Sequence, residues 1–298
     1  MNIFEEIKYN FRQKENGLIQ IILINVIVFV ILGIFSVLSR IGGFSSFFDA
    51  VYLQLALPAD LASFATRPWS ILTYFFTHSM TDIFHILFNM LFLYWFGKII
   101  YEYIGNRRFI NLYLMGGLIG GIIFLFIFNV IPYYAANNLS VSLVGASGAV
   151  FAVVVGAATL VPHYRFNLIF LGSVKITYIA AFFVFTSWLG SIGGNAGGSI
   201  CHLGGALFGF LYIQQLRKGR DLGKPINVIA SFINRIGKPK LKVSYKAKSN
   251  KTNTTSSSNT GEPTQDEIDK ILDKISKGGY GSLTKIEKQK LFKASGNK

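Results

Sequence analysis

The most constraining feature of this chain is that its apolar residues are gathered into long runs with few or no charges. Leu18 to Leu38 contains no charged residue. It has the length of about twenty residues that a helix needs to cross a bilayer. Further apolar stretches run from about Asp82 to Tyr103, Arg107 to Ile131, Ser147 to Val161, Val174 to Gly190 and Ser199 to Leu216. The chain is 51% hydrophobic and only 14% charged, against roughly 25% charged in soluble domains. The expected fold is an all-α polytopic membrane bundle of six transmembrane helices, followed by a small helical tail. The fourth run, of about fifteen residues, is short for a span, so its start should lie below the membrane surface. Backbone at that depth must be covered by protein or line a water-filled cavity.

The net charge of +15 could suggest a nucleic-acid partner. Its distribution argues against one. Eleven Lys/Arg and a single acid, Asp221, fall between Arg217 and Lys251, placing about +10 just after the last apolar run. Such juxtamembrane blocks meet anionic lipid and fix topology. Lys98, Arg107 and Arg108 flank the second connection, and Arg165 and Lys175 the fourth, whereas Pro132 to Ala146 and Ser191 to Gly198 carry no charge. The positive-inside rule then puts both termini in the cytoplasm and the start of the fourth run outside. The expected location is a cell membrane, bacterial inner membrane by preference. Cys201 is the single cysteine, so no intramolecular disulfide is expected. No cleavable signal peptide is read at the N-terminus.

Four segments are expected. Residues 1–17 form a polar cytoplasmic lead-in, 18–217 the membrane domain, 218–263 a basic flexible linker, and 264–298 a cytoplasmic helical hairpin. Within the membrane domain, Ser39 to Thr81 is too aromatic for a free loop and should be structured at the interface. In the tail, Thr264-x-x-Glu267 and Thr284-x-x-Glu287 are capping boxes. Ile268, Ile271, Leu272 and Ile275 share one helical face, and Gly278-Gly279 ends the first helix. The sequence names no partner for this tail.

Polar residues inside apolar runs are costly and need a partner or a task. Ser147 opens the fourth run within Gly145-Ala146-Ser147-Gly148, where a serine also serves as a helix cap and small residues as a helix contact. His202, Gly205 and Gly209 stand at i, i+3 and i+7, so they share a face. The two helix-packing glycines would let another helix approach closely enough to meet the histidine. Serine becomes a nucleophile only with a base in hydrogen-bond reach, and histidine is the usual one. The later runs offer no Asp or Glu in their outer halves, so a Ser-His dyad is all the sequence permits. Something other than a carboxylate must orient the ring. His85 and Asn89 lie at i and i+4 and can present hydrogen-bond donors from one face. Those donors suit either an oxyanion or an interhelical hydrogen bond worth about 1 kcal/mol.

Together these elements resemble the rhomboid family of intramembrane serine proteases, in a bacterial six-span form with a C-terminal cytoplasmic extension. The resemblance rests on Arg67-Pro68-Trp69, Phe76-Thr77-His78, His85-Ile86-Leu87-Phe88-Asn89-Met90, Gly145-Ala146-Ser147-Gly148 and His202 through Gly209, and covers roughly residues 15–217. It implies Ser147 as nucleophile and His202 as general base and acid. It implies His85, Asn89 and the Ser147 N–H as the oxyanion site, and Phe151 as the ring that holds the histidine. The implied activity is endopeptidase cleavage of transmembrane helices near the outer face, with the substrate entering between the second and fifth spans. Partners are then transmembrane protein substrates and membrane lipid, with no nucleic acid. No cofactor is implied. No metal is expected either, because His78, His85 and His202 lack carboxylate or thiolate partners at ligand spacing. Six residues separate His78 from His85, a departure from the familiar pattern that leaves it without an assigned role. Cys201 reads as packing and His163 as interfacial. The alternative is a non-proteolytic rhomboid-like protein that binds membrane helices. A transporter is disfavoured by the lack of an inverted repeat and of acids in the spans.

Overall fold

In the computed structural model, residues 16–136, 138–168, 172–228 and 264–295 are described. The expected N-terminal segment and most of the basic linker lie outside them. The chain divides into two compact units, Met1–Lys238 and Pro239–Lys298.

In the first unit the apolar runs form helices: α1 (Gly17–Ile41), α3 (Ile83–Ile104), α4 (Asn106–Val130), α5 (Ser147–Leu160), α6 (Ile176–Gly190) and α7 (Ala196–Arg217), with α2 (Ser45–Leu55) after the first. The Asp82 carboxylate accepts the Phe84 N–H and caps α3, and the Asn195 side chain accepts the Gly198 N–H and caps α7. Among the described residues, four helices are long and apolar enough to cross a membrane: α1, α3, α4 and α7. This corrects the expected six spans. Helices α5 and α6 have 14 and 15 residues, about 21 and 22 Å at the α-helical rise, against a hydrocarbon core of about 30 Å. Helix α5 is largely buried, whereas α6 buries only Ile176, Ala180 and Ser187 and leaves Tyr178, Phe182, Phe185, Trp188 and Leu189 exposed.

Two small antiparallel pairs were not expected. β1 (Leu57–Pro58) pairs with β2 (Ser142–Leu143), bringing the chain before α5 against the segment after α2. β3 (Arg165–Leu168) pairs with β4 (Gly172–Lys175) and leads into α6.

Helix α2 and the turns after it order the aromatic stretch. Its last carbonyls have no partner within the helix. Arg67 Nη1 donates to Leu53 O, Trp69 Nε1 to Gln54 O at 2.9 Å, and Thr73 Oγ1 to Leu55 O at 2.8 Å. Three donors spaced along one turn thereby satisfy three successive carbonyls. Below this clasp, Tyr74 and Phe75 are buried, and the Tyr74 hydroxyl donates to Gly117 O of α4 at 2.5 Å. From α1, Asn25 Nδ2 donates to the buried Tyr113 hydroxyl at 3.1 Å.

The tightest helix contact joins α5 to α7. A Cβ on Gly205 would collide with the carbonyl oxygen of Gly148, and one on Gly209 with that of Ala152. Helix α4 closes the third side: a Cβ on Gly120 would come 3.0 Å from Cys201 O. In lipid there is little hydrophobic drive between helices, so close backbone packing of this kind does much of the holding.

In the second unit, α8 (Gln265–Gly278) starts with a formed capping box between Thr264 and Glu267 and is capped at its end by Gly279. α9 (Lys285–Ser295) starts with the second: the Thr284 N–H donates to Glu287 Oε2 at 2.6 Å, and the Glu287 N–H to Thr284 Oγ1 at 3.4 Å. Lys274 pairs with Glu287 at 2.9 Å, and Lys290 with Glu267, tying the two helices together.

Two measurements test these contacts. Gly205→Ala should destabilise the membrane unit by about 1–3 kcal/mol, because the obstacle is backbone and cannot swing aside. Gly33→Ala, where a Cβ meets nothing within 4 Å, should leave the thermal midpoint in detergent unchanged or slightly raised. In the tail, hydrogen bonds from Lys274, then from Thr284, hold the Glu287 carboxyl down at about 2. A depressed folded value means the stabilisation is present above the ordinary glutamate range and is lost as pH falls from there toward about 2. Hydrogen-exchange protection at residues 265–295, referred to the intrinsic rate at each pH, should fall through that window in the wild type, and less so in Glu287→Gln.

Candidate active site

The loop before α5 sets where the serine points. Gly145 has φ +125°, a conformation that side-chain-bearing residues rarely adopt. Its N–H donates to Tyr74 O at 2.9 Å. A Cβ there would lie 2.6 Å from Nε2 of His85, so the absent side chain also makes room for that ring. Ala146, not Ser147, occupies the cap position, and Ser147 is the first helical residue. Its hydroxyl is therefore not used as a helix cap. It makes no hydrogen bond to the described residues and lines a cavity of about 660 Å³ within the bundle.

The same cavity is lined by His85, Asn89, Phe151 and His202. The structure thus brings together the five site residues read from the sequence, drawn from α3, α5 and α7. Phe151 lies flat against His202, with ring centroids 4.2 Å apart and planes 10° from parallel. Asn89 Nδ2 donates to His85 O at 2.7 Å, leaving its second amide hydrogen for the cavity. The Ser147 and His202 side chains share the cavity without a direct hydrogen bond; such contacts commonly tighten only around a substrate. Gly205 and Gly209 lie outside the cavity and act by closing α7 onto α5.

The remaining histidines and the cysteine separate clearly. The His78 ring sits 5.4 Å from that of His85, fully buried, with neither ring nitrogen partnered among the described residues. Cys201 turns from the cavity toward Tyr74, 3.4 Å from its hydroxyl. His163 is exposed in the turn after α5.

One close neighbour of the site was missed. Ser187 of α6 places its hydroxyl 3.1 Å from His202 Nδ1. The available signal was a polar residue inside an apolar run, but composition could not tell which face of α6 turns inward. The cavity rim also carries Ser79, Asp82, Ser142 and Asn195.

A hydroxyl and an imidazole opening on one cavity, with amide and imidazole donors opposite and a helix N-terminus beneath, can support acyl transfer. The architecture defines a multi-pass membrane protein whose helical bundle holds a cavity lined by Ser147 and His202. The chain belongs to the rhomboid family: the Rhomboid domain matches residues 65–218. Residues 262–297 match a second family, one of unknown function (DUF6576).

The chain is similar to the mitochondrial presenilin-associated rhomboid-like protein of Mus musculus, 31% identical over 140 residues that cover 46% of this chain and 36% of the relative. Its Homo sapiens counterpart is 30% identical, covering 46% and 35%. The mitochondrial RHOMBOID-like protein 12 of Arabidopsis thaliana is 32% identical over 166 residues, covering 52% and 48%. The match thus spans about a third to a half of these curated relatives. All three are mitochondrial proteins, and among the described residues of this chain four helices rather than six have spanning length. The expected bacterial six-span form is overturned on both counts.

Gly145→Ala tests the geometry of the loop. The methyl group would meet the His85 ring in a backbone conformation that already disfavours it, so a loss of about 1–3 kcal/mol is expected. A lower thermal midpoint and a shifted His85 ring resonance would register it.

Proposed function

We propose that this protein is an intramembrane serine endopeptidase that cleaves transmembrane helices with a Ser147–His202 dyad. The observation that carries this reading is that Ser147 and His202, on two helices held at backbone contact, open on the same cavity inside the bundle. Family membership supports it.

Ser147 Oγ attacks the scissile carbonyl while His202 Nε2 takes its proton. The carbonyl oxygen becomes an oxyanion, met by the Ser147 N–H at the start of α5 and by donors on His85 and Asn89. The intermediate collapses as His202 returns the proton to the leaving amine. Water then enters by the same route and releases the acyl group from Ser147. Phe151 keeps the imidazole plane fixed through both halves.

The substrate is a membrane helix that enters between α3 and α6, where Phe92 and Phe183 now meet edge to face at 4.9 Å. It must unwind at the cut, since a helical carbonyl is already hydrogen-bonded and its chain is wrapped away from a nucleophile. Segments with helix-weakening residues near the Ser147 end of the bundle are favoured. Both termini lie on the side that carries Arg107, Arg108 and the basic stretch after α7, the cytoplasmic side, and Ser147 opens toward the other. The tail is a separate hairpin.

Ser147→Ala in purified protein should abolish cleavage of a model transmembrane helix, by on the order of a thousandfold or more. A serine-directed fluorophosphonate should label the wild type and not the variant. Cleavage undiminished in the variant would exclude the dyad, and a wild type that neither cleaves nor labels would favour a helix-binding role without proteolysis.

A further inference from the structure

His202 has two ring nitrogens, and the proposed reaction accounts for one of them. Nε2 must be bare to take the Ser147 proton, so Nδ1 must carry the ring hydrogen in the resting enzyme. In a serine–histidine–aspartate site a carboxylate fixes that arrangement. Here, among the described residues, the only carboxylate lining the cavity is that of Asp82, and it caps α3.

Phe151 cannot supply the missing information. Stacking fixes the plane of an imidazole. It does not distinguish that ring from the same ring turned over by half a turn about Cβ–Cγ, which exchanges Nδ1 with Cδ2 and Nε2 with Cε1. Both orientations cover Phe151 equally well. A correct tautomer and a correct edge require a group that senses Nδ1 alone.

Ser187 occupies that place. Its hydroxyl oxygen is 3.1 Å from Nδ1. It belongs to α6, a helix that carries neither the nucleophile nor the base, and the residue is only 6% exposed. Its neighbour Thr186 turns its hydroxyl to Phe183 O at 3.0 Å. The Ser187 hydroxyl has no second hydrogen bond among the described residues, and its oxygen can accept from Nδ1–H in the tautomer that leaves Nε2 bare.

We propose that Ser187 is the positioning residue for the histidine base, its hydroxyl oxygen accepting the Nδ1–H of His202 and so selecting both the tautomer and the ring edge presented to Ser147. The inference rests on the endopeptidase reading above. Ser187 exchanges no proton. When Nε2 takes the Ser147 proton the ring becomes a cation with two N–H groups, and the Ser187 oxygen still accepts one of them. When Nε2 gives the proton to the leaving amine, the resting tautomer returns. A neutral hydroxyl suits this depth because an unpaired carboxylate within the bundle would carry a large desolvation cost.

The test compares wild type, Ser187→Ala and Ser187→Thr in detergent and in liposomes, on one model transmembrane substrate, with Ser147→Ala as the blank. Loss of one neutral hydrogen bond should lower kcat about tenfold in Ser187→Ala, with KM within about twofold of wild type. Ser187→Thr, which keeps the hydroxyl, should restore kcat. A second readout needs no turnover: nitrogen-15 NMR of histidine-labelled protein, with the His202 signals assigned by a His202→Gln variant. Wild type and Ser187→Thr should show a protonated Nδ1 and a bare Nε2, and Ser187→Ala a mixture of tautomers.

Equal loss of kcat in the Ala and Thr variants would assign Ser187 to packing and overturn the proposal. So would a Ser187→Ala enzyme with wild-type kcat and an unchanged His202 spectrum. Cleavage surviving in Ser147→Ala would instead overturn the endopeptidase reading, and the nitrogen spectra would still report directly on the Ser187–His202 bond.

Discussion

The structure depends on how closely α5 and α7 approach. Without a Cβ at Gly205 and Gly209, the α7 backbone comes against the carbonyl oxygens of Gly148 and Ala152. Helix α4 presents Gly116 and Gly120 to the same pair, the first against Ala152 and the second against Cys201. A wider separation would leave Ser147 and His202 on helices facing each other across side chains. Instead, backbone contact below leaves the two functional groups opening on a common cavity above. This is packing by small residues, as expected where lipid competes equally for every larger apolar side chain.

Polar groups build this bundle through named partners: Tyr74 to Gly117 O, Asn25 to Tyr113, and Arg67, Trp69 and Thr73 to the end of α2. Unsatisfied polar groups at depth are costly. Those without a partner among the described residues are spread through the unit: Asn25 Oδ1, Arg67 Nε, Ser70 Oγ, Gln215 Oε1 and both ring nitrogens of His78, whose ring lies 5.4 Å from that of His85.

Much of this could be read from the residues. The apolar runs located every long helix, and the Thr-x-x-Glu pairs marked both tail helices. The i, i+3, i+7 spacing of His202, Gly205 and Gly209 placed the histidine and the contact surface on one side of α7. The span count failed because hydropathy does not separate an apolar helix too short to cross from one that crosses lipid, and α5 and α6 have 14 and 15 residues. The sequence also allowed Ser147 as a cap, yet Ala146 takes that position. Ser187 went unnoticed for a different reason. Nothing local marks the inward face of α6, and its relation to His202 arises only when separate helices are assembled. The β3–β4 pair was hidden in a loop too short for a pattern to declare itself.

The close seam between α5 and α7 also alters what mutational scanning can reveal here. Alanine is usually the subtractive probe, the residue that removes a side chain and asks what was lost. At Gly205 and Gly209 it is additive, a methyl wedge driven between two backbones. A scan scored by turnover alone would rank these glycines beside Ser147 and mistake a matter of distance for one of reactivity.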